Sequence, residues 1–299
     1  MTKFLLDSGD PQEYKEVFSM AKEKESELWG ATTNPSLIAK KLVGKKITSA
    51  EAFRLQKEIV LEILSIVPGA VSAEVYADTT TTAEQMIEQG RDISTWHERI
   101  VVKLPTTLEG FKARTVLRKE GTAINNTLVF SQEQIYALCL HELLVHKEFN
   151  PTNNFWPPFI SPFLGRLDDL GEDGIILLAN GLYIKNTYFN KDMSWLLSSS
   201  IRSIYHMKRT IDLNCDLITA PAKVYKEWFS LSEEQKNAIQ NPAPNLKQIP
   251  LWYPSEALKQ IDTIEKLLQA IETGTLNINH PLTQKGIEKF TEDWKSIIV

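Results

Sequence analysis

Short apolar runs alternate with longer segments of helical period along this chain of 299 residues. Several runs, Ile100-Val101-Val102 among them, are continuously apolar rather than alternating, which is typical of strands buried on both faces. Polar residues separate each run from the helical segment that follows it. The runs lie at positions 4–6, 30–33, 70–76, 100–104, 123–129, 159–163, 195–199 and 217–219. This pattern predicts eight parallel strands covered by helices.

The segments between the runs have the spacing of amphipathic helices. Segment 50–66 carries apolar residues at helical intervals, and segment 108–120 ends just before Gly121, a residue type that commonly terminates helices. Such alternation predicts an α/β fold of the (β/α)8 TIM-barrel class. An open doubly wound sheet is the alternative, because a sequence does not reveal whether a sheet closes.

Two segments interrupt the alternation. Segment 147–158, which contains Trp156, predicts an ordered aromatic loop before the sixth strand. Segment 241–254 is rich in proline, but only 45 residues follow it, too few for an independent core. We therefore predict one barrel domain over residues 1–299, in which 255–299 form a C-terminal helical extension. Its helices, at 254–272 and 282–298, are expected to pack on the barrel.

Composition and charge narrow the class of partner. The chain is 42% hydrophobic, and 33 Lys and Arg against 38 Asp and Glu give it a formal net charge of -5. Nucleic acids and anionic membranes require clustered positive charge, so we expect small-molecule partners, no nucleic acid and no membrane. The sequence leaves open whether the chain forms a homo-oligomer.

Several features predict a cytoplasmic location. The first apolar run is cut at Asp7, too early for a secretion signal, and no apolar stretch reaches the roughly 20 residues of a transmembrane helix. Cys139 and Cys215 lie far apart, which is typical of free thiols in a reducing compartment.

In barrels of this class, functional side chains lie at the carboxyl ends of the strands. The polar residues that end the runs here are Asp7, Asn34, Glu74, Lys103, Asn125 with Thr127, Ser161 with Arg166, and Ser200 with Arg202. Their shared position predicts that they form one site.

Lys103 carries the most specific chemical signal, because it places an ammonium group within an otherwise apolar strand. A lysine amine removed from water loses its proton more readily, and the neutral amine can attack a carbonyl carbon to form a Schiff base. Such chemistry also needs proton donors and acceptors, for which Glu74 and Asp7 are candidates. The alternatives are a solvated lysine, a surface salt bridge and, for Asp7, a turn or helix cap.

Ser200 and Arg202 follow the seventh run, where barrels often bind phosphate, and Arg166 follows the sixth. Hydroxyls, backbone N–H groups and arginine side chains together suit an anion. A surface salt bridge is the alternative for either arginine alone.

One motif resembles a zinc-protease helix but fails on spacing. His141 and His146 are five residues apart instead of four, so on a helix they lie about 140° apart and cannot share one metal ion. We expect both on the helix surface and predict no metal site.

The stretches around the polar residues that end the runs resemble the transaldolase family, which includes the smaller fructose-6-phosphate aldolase type. The resemblance covers nearly the whole chain, and its motifs Thr-Thr-Asn-Pro-Ser-Leu and Ser-Pro-Phe-x-Gly-Arg are too specific to arise readily by chance. The matching stretches are Leu5-Leu6-Asp7-Ser8-Gly9-Asp10, Thr32-Thr33-Asn34-Pro35-Ser36-Leu37, Ser72-Ala73-Glu74, Val102-Lys103-Leu104-Pro105, Asn125-Asn126-Thr127, Ser161-Pro162-Phe163-Leu164-Gly165-Arg166, Leu217-Ile218-Thr219-Ala220-Pro221 and His280-Pro281-Leu282-Thr283.

The resemblance implies a barrel enzyme without metal or organic cofactor that moves a dihydroxyacetone unit between sugar phosphates. It implies Lys103 as the Schiff-base nucleophile, Glu74 as a proton shuttle through a water held by Thr127, and Asp7 as the acid/base of C–C cleavage. The substrate-binding residues that it implies are Thr33, Asn34, Asn125, Ser161 and Phe163, with Arg166, Ser200 and Arg202 holding the phosphate.

Within the family, two positions favour the transaldolase type, since the aldolase type carries Gln at the position of Glu74 and Tyr at that of Phe163. A fructose-6-phosphate aldolase and a sugar-phosphate-binding protein without turnover are the alternatives. The short loop after Asp169 departs from the long-chain members of the family, and two further stretches depart from the family pattern, the long segment 147–158 and the segment 198–202. We expect both beside the phosphate-binding end of the site.

Overall fold

The computed structural model describes residues 1–151, 156–243 and 245–299. All eight predicted strands are present, with ends that differ from the predicted ones by at most two residues. They are β1 (Lys3–Asp7), β2 (Leu28–Thr32), β3 (Val71–Glu74), β4 (Ile100–Pro105), β5 (Ile124–Val129), β6 (Phe159–Pro162), β7 (Trp195–Ser198) and β8 (Leu217–Ala220). Each strand pairs in parallel with the next, and β8 pairs with β1 to close the barrel. The TIM-barrel prediction is confirmed, and the open sheet is excluded.

Helices surround the barrel and extend beyond it. Their bounds are α1 (Pro11–Glu23), α2 (Pro35–Lys41), α3 (Ser49–Leu64), α4 (Ala83–Ser94), α5 (Leu108–Lys119), α6 (Gln132–Phe149), α7 (Leu164–Asp168), α8 (Gly174–Tyr188), α9 (Ile204–Asp212), α10 (Ala222–Ser230), α11 (Glu233–Asn237), α12 (Glu256–Lys259), α13 (Ile264–Glu272) and α14 (Pro281–Lys295). Side chains that accept from backbone N–H groups start many of them, such as Asp10 for α1 and Thr107 for α5. As predicted, α5 ends just before Gly121, which adopts the left-handed conformation at φ 82°.

Alternation of side chains along each strand separates the helix-packed outer surface from the barrel interior. On β4, Ile100, Val102 and Leu104 belong to the large core beneath the helices, whereas Val101 belongs to a smaller apolar cluster inside the barrel. That inner cluster contains Leu5, Ala70, Val101, Phe159, Leu197 and Leu217. Lys103 follows Val101 on the same face, so the inside of the barrel changes from apolar to polar toward the carboxyl ends of the strands.

The described residues of segment 147–158 do not lie at the phosphate-binding end, where we expected this segment. Helix α6 continues to Phe149, and residues 152–155 lie outside the described part of the chain. Trp156 packs edge-on against Trp29, with ring centroids 4.9 Å apart, and lies beside Trp195, the first residue of β7. This contact lies at the amino-terminal end of the barrel. The expectation was wrong because a segment that precedes a strand enters the barrel at the end opposite the site.

The C-terminal helices are present, but the predicted helix at 254–272 is two helices, α12 and α13. Thr263 accepts a hydrogen bond from the N–H of Lys266 and starts a second helix. Before them, residues 245–254 are held against the barrel helices, because Asp173 N–H donates to Lys247 O and Trp252 N–H donates to Gln132 Oε1. Helix α14 contacts β5 and α2.

The expectation that His141 lies on the helix surface was wrong. His141 and Glu142 of α6 are fully buried against Arg114 and Arg118 of α5, and Glu142 pairs with both arginines. Because α6 is covered along most of its length, the His-Glu sequence faces this ion-pair cluster instead of solvent. Burial lowers the pKa of His141 well below 6.5, and the charge of Arg114 adds to the effect.

Cys139 and Cys215 are free thiols, as predicted, and burial raises the pKa of each to about 12. No helix in the described ranges is long and apolar enough to cross a membrane.

Candidate functional site

Lys103 and Glu74 face each other at the carboxyl ends of β4 and β3. The strand register makes them direct neighbours, and Lys103 Nζ lies 3.1 Å from Glu74 Oε2. Nζ also donates to the backbone oxygen of Thr33 at 3.0 Å. Both side chains are about 95% or more buried, which raises the pKa of Glu74 above 4.5, although the positive charge of Lys103 offsets part of that effect.

Asp7 ends β1 and faces the same interior. Thr32 Oγ1 donates to Asp7 Oδ1 at 2.7 Å and lies 2.6 Å from Thr219 Oγ1. Although Asp7 lines the cavity described below, the surrounding barrel removes most of its hydration and raises its pKa above 3.8; Lys103 and the Thr32 hydrogen bond act in the opposite direction. One buried carboxyl group, Glu74, and one half-buried carboxyl group, Asp7, both with raised pKa values, therefore lie near one buried amine.

Asn125 on β5 and Ser161 on β6 belong to one chain of hydrogen bonds. Ser161 Oγ donates to Asn125 Oδ1 at 2.6 Å, and Asn125 Nδ2 donates to Ser72 Oγ at 3.1 Å. Thr127, two residues further along β5, is fully buried, and its Oγ1 makes no hydrogen bond to any described residue. This hydroxyl is thus available to hold a small polar molecule.

The mouth of the barrel contains a cavity of about 150 Å³. Most of the predicted site residues line it, namely Asp7, Asn34, Lys103, Ser161, Phe163, Arg166, Ser200 and Arg202. The other four, Glu74, Thr33, Asn125 and Thr127, lie below or beside this lining and are buried. The structure therefore brings eight of the twelve predicted residues together around one cavity, and Glu74 adjoins it through its contact with Lys103.

Asn34 has a structural contact as well as a place at the cavity. It caps α2, because its Oδ1 accepts from the N–H of Leu37 at 3.0 Å. Its amide nitrogen is not used by this contact and can donate to a ligand.

The two arginines at the cavity differ in their partners. Arg202 is exposed and pairs with Asp169 at 2.9 Å, the surface salt bridge that was its alternative interpretation. Arg166 is half-buried and forms neither a hydrogen bond nor an ion pair with any residue in 1–151, 156–243 or 245–299, while its guanidinium lies over the rings of Phe163 and Phe290. An enclosed cation without a carboxylate partner suits an anionic ligand.

Four further residues line the cavity that the sequence had not singled out: Thr32, Ser199, Thr219 and Phe290. Thr32 and Thr219 could have been found, since each is the last or second-last residue of a predicted strand and lies on the interior face. Phe290 belongs to α14, and an apolar residue on an amphipathic helix carries no local sign of a site.

The chemistry that this arrangement supports is carbonyl chemistry on a small anionic molecule. A buried amine next to two carboxyl groups can add to a carbonyl carbon and exchange protons with it. No cluster of three or more His, Cys, Asp or Glu side chains suited to a metal ion occurs among the residues that the structure describes.

Comparison with known proteins gives consistent similarities over the whole barrel. The profile of the family described as Transaldolase/Fructose-6-phosphate aldolase matches residues 4–298. A "Probable transaldolase" of Caldicellulosiruptor saccharolyticus is 37% identical over 225 residues, which cover 75% of this chain and 88% of the relative. A "Probable transaldolase" of Desulfitobacterium hafniense is 30% identical over 295 residues, 99% of each protein. One of Clostridium acetobutylicum, with the same name, is 33% identical over 294 residues, 98% of this chain and 97% of the relative.

Proposed function

Since the chain belongs to the transaldolase/fructose-6-phosphate aldolase family, we propose that it is a transaldolase of the non-oxidative pentose phosphate route. It transfers a dihydroxyacetone unit from sedoheptulose 7-phosphate to glyceraldehyde 3-phosphate, which yields erythrose 4-phosphate and fructose 6-phosphate. Its buried free thiols and the expected substrates suit the cytoplasm.

The observation that carries the proposal is the position of Lys103. Its Nζ is buried 3.1 Å from Glu74 Oε2, beside a cavity that Asp7 and Arg166 also line. A lysine held in this way suits attack on a ketone, and a free cation near the cavity suits a phosphate.

In the proposed reaction, the neutral amine of Lys103 attacks the C2 carbonyl of the ketose phosphate. Glu74 gives a proton to the departing hydroxyl group through a water that Thr127 holds, and loss of water leaves the imine. The raised pKa of Glu74 supports this role, because burial makes its carboxyl group hold a proton to higher pH than a solvated carboxyl group does.

Asp7 acts in the next step. It accepts the proton of the C4 hydroxyl as the C3–C4 bond breaks, the aldose phosphate leaves, and the electron pair remains as an enamine on Lys103. The enamine then attacks the aldehyde carbon of the acceptor, whose oxygen takes the proton back, and hydrolysis of the new imine releases the product. No metal or organic cofactor takes part in these steps.

The polar residues around this trio would hold the substrate. Thr33, Asn34, Asn125 and Ser161 bind the donor hydroxyls and the enamine, Phe163 lines the pocket, and Arg166, Ser200 and Arg202 bind the phosphate. For Arg202 this requires an exchange of Asp169 for the phosphate, which is feasible because the existing pair is exposed.

Borohydride trapping tests the proposal. The protein is incubated with fructose 6-phosphate and reduced, and mass spectrometry locates the adduct. We expect it on Lys103 and not on Lys185, a second buried lysine that pairs with Asp216 at 2.6 Å and serves as the internal control. Folded protein without an adduct on Lys103 would refute the Schiff-base mechanism.

Donor preference separates the transaldolase from the alternatives. We expect transfer from ketose phosphates to exceed the reaction with free dihydroxyacetone, because Glu74 and Phe163 occupy the two positions that distinguish the family types. Comparable rates with free dihydroxyacetone would favour a fructose-6-phosphate aldolase. Binding of sugar phosphate without an adduct would indicate a binding protein.

A further inference from the structure

Helix α14 lies across the mouth of the barrel and is fixed at several strand ends. Thr283 Oγ1 donates to Leu128 O on β5 at 2.9 Å, and Thr291 Oγ1 donates to Ala77 O after β3 at 3.1 Å. Near the end of the helix, Asp293 accepts a hydrogen bond from Ser36 on α2. The helix is therefore a wall of the site rather than a loosely attached extension.

One face of this helix meets Arg166. Gly286 approaches so closely that an added Cβ would lie 2.7 Å from Arg166 Nη1 and 2.5 Å from Leu128 Cδ2. Phe290, one turn later on the same face, lies with its ring centroid 5.4 Å from Arg166 Cζ. Together, the space left by Gly286 and the ring of Phe290 form a binding position for the guanidinium.

A second aromatic ring completes the binding position of the guanidinium. Phe163 lies 5.2 Å from Arg166 Cζ, so the guanidinium has one ring from the residue that follows β6 and one from α14. Phe163 in turn packs against Phe130, whose ring stacks on His280 at the start of α14. Cation–π contacts attract the arginine but leave its N–H groups unsatisfied, so these groups can still bind an anion.

We propose that Phe290 and Gly286 are specificity-determining residues that hold Arg166 toward the phosphate group of the sugar substrate. The proposal rests on the proposed transaldolase function and deepens it, since it assigns the choice of phosphorylated over unphosphorylated substrates to α14. Without the ring of Phe290, Arg166 loses one of its two aromatic contacts, and its flexible side chain samples positions that do not face the cavity. Phe290 is thus a positioning residue that acts through Arg166.

Paired acceptors measure this effect. Phe290→Leu is assayed with glyceraldehyde 3-phosphate and with glyceraldehyde, which differ only in the phosphate. We expect a KM about tenfold higher for the phosphorylated acceptor, a loss of about 1.4 kcal/mol in binding, and an unchanged KM for the other. Phe290→Tyr keeps the ring and is expected to retain the original KM. Gly286→Ala is expected to resemble Phe290→Leu, because its methyl group displaces the guanidinium.

The matched control is Leu282→Ala on the same helix. Leu282 is buried in the large core and does not line the cavity, so its truncation reduces stability without a selective change for the phosphorylated acceptor. Equal KM changes for the two acceptors in Phe290→Leu would overturn the proposal and leave the transaldolase function intact. Failure of the unmodified protein to form an adduct on Lys103 would instead refute the function.

A binding measurement gives a readout that does not depend on turnover. Inorganic phosphate is titrated into the unmodified protein and the variants by calorimetry. We expect phosphate to bind about tenfold more weakly to Phe290→Leu and Gly286→Ala than to the unmodified protein and Phe290→Tyr. Equal affinities in all four proteins, or no binding to the unmodified protein, would contradict the role assigned to α14.

Discussion

Glu74 and Lys103 are direct neighbours on adjacent strands, and Lys103 Nζ lies 3.1 Å from Glu74 Oε2 in a buried position. The parallel register of β3 and β4 produces this contact, because it places the two residues side by side. It keeps the amine and one carboxyl group together before any substrate binds, so the chemistry requires little reorganisation.

Glu74→Gln tests the proton-transfer role of this pair. The amide has the same size as the carboxyl group and can still bond to Lys103, but it cannot give or take a proton. We expect the rate of imine formation from fructose 6-phosphate to fall by roughly 10²- to 10⁴-fold, the usual contribution of a general acid or base. Borohydride trapping at successive times measures that rate.

Glu109→Gln is the control for this variant. Glu109 lies at the start of α5 in an exposed pair with Lys112, so its substitution is expected to leave trapping unchanged. A Glu74→Gln protein that forms the imine as fast as the unmodified protein would show that another group supplies the proton.

Asp7→Ala separates cleavage from imine formation. Asp7 is bonded to Thr32 and is not in hydrogen-bond contact with Lys103, and its proposed step follows dehydration. We expect overall transfer to fall by roughly 10²- to 10⁴-fold while borohydride still traps the donor on Lys103. Coupled measurement of aldose phosphate release, together with mass spectrometry of the adduct, distinguishes the steps. Loss of trapping in the folded variant would assign Asp7 to the earlier step.

Strands such as β4 were predictable because they are buried on both faces, and their apolar runs, such as Ile100-Val101-Val102, are short and end at polar residues. The ends of the strands were less predictable, since backbone hydrogen bonds set them and side-chain pattern does not. The predicted single helix at 254–272 failed for a related reason. Its apolar spacing continues past Thr263, but the cap formed by that side chain starts a new helix.

The site followed from one rule about barrels, the clustering of polar residues at carboxyl ends of strands, which brought Lys103 and Asp7 to one cavity. This rule does not identify residues that reach the site through tertiary packing. Phe290 comes from a helix far along the chain, and its apolar character is also that of a core residue. The burial of His141 was missed as well, because the burial of α6 depends on the helices on either side of it.

Asp7→Asn is expected to stabilise the folded protein at neutral pH. Because burial raises the pKa of Asp7 above 3.8, the folded state retains a proton that the unfolded state has already released, so stability falls as pH rises from 3.8 through the raised pKa. Each unit by which folding raises a pKa corresponds to about 1.4 kcal/mol. Asn does not ionise, and its side-chain oxygen can still accept from Thr32.

Urea denaturation between pH 4 and pH 7 checks this prediction. The advantage of Asp7→Asn should be largest at pH 7 and shrink toward pH 4. Asp10→Asn provides the opposite sign: although burial acts against it, the hydrogen bond from Lys41 lowers the pKa of Asp10, so loss of that charge removes stability at neutral pH. An Asp7→Asn advantage that does not vary with pH would show that ionisation is not its cause.

The ion-pair cluster between α5 and α6 makes Glu142 a strong determinant of stability. Its carboxylate pairs with the fully buried Arg114 and Arg118, and Arg114 also donates to Asn126 on β5 at 2.9 Å. Glu142→Gln removes the negative charge that pairs with both buried arginines, which we expect to lower the free energy of unfolding by about 3–5 kcal/mol. Urea denaturation at pH 7 measures the loss.

Glu120→Gln is the matched comparison for Glu142, because its carboxylate pairs with Arg91 on the exposed surface. We expect its denaturation midpoint to stay close to that of the unmodified protein, since exposed pairs are screened by water and salt. The Glu142→Gln loss should persist when the salt concentration is raised, because solvent ions do not reach the buried cluster. Equal, small effects of the two substitutions would mean that the buried arginines find other partners and that the pair with Glu142 is dispensable.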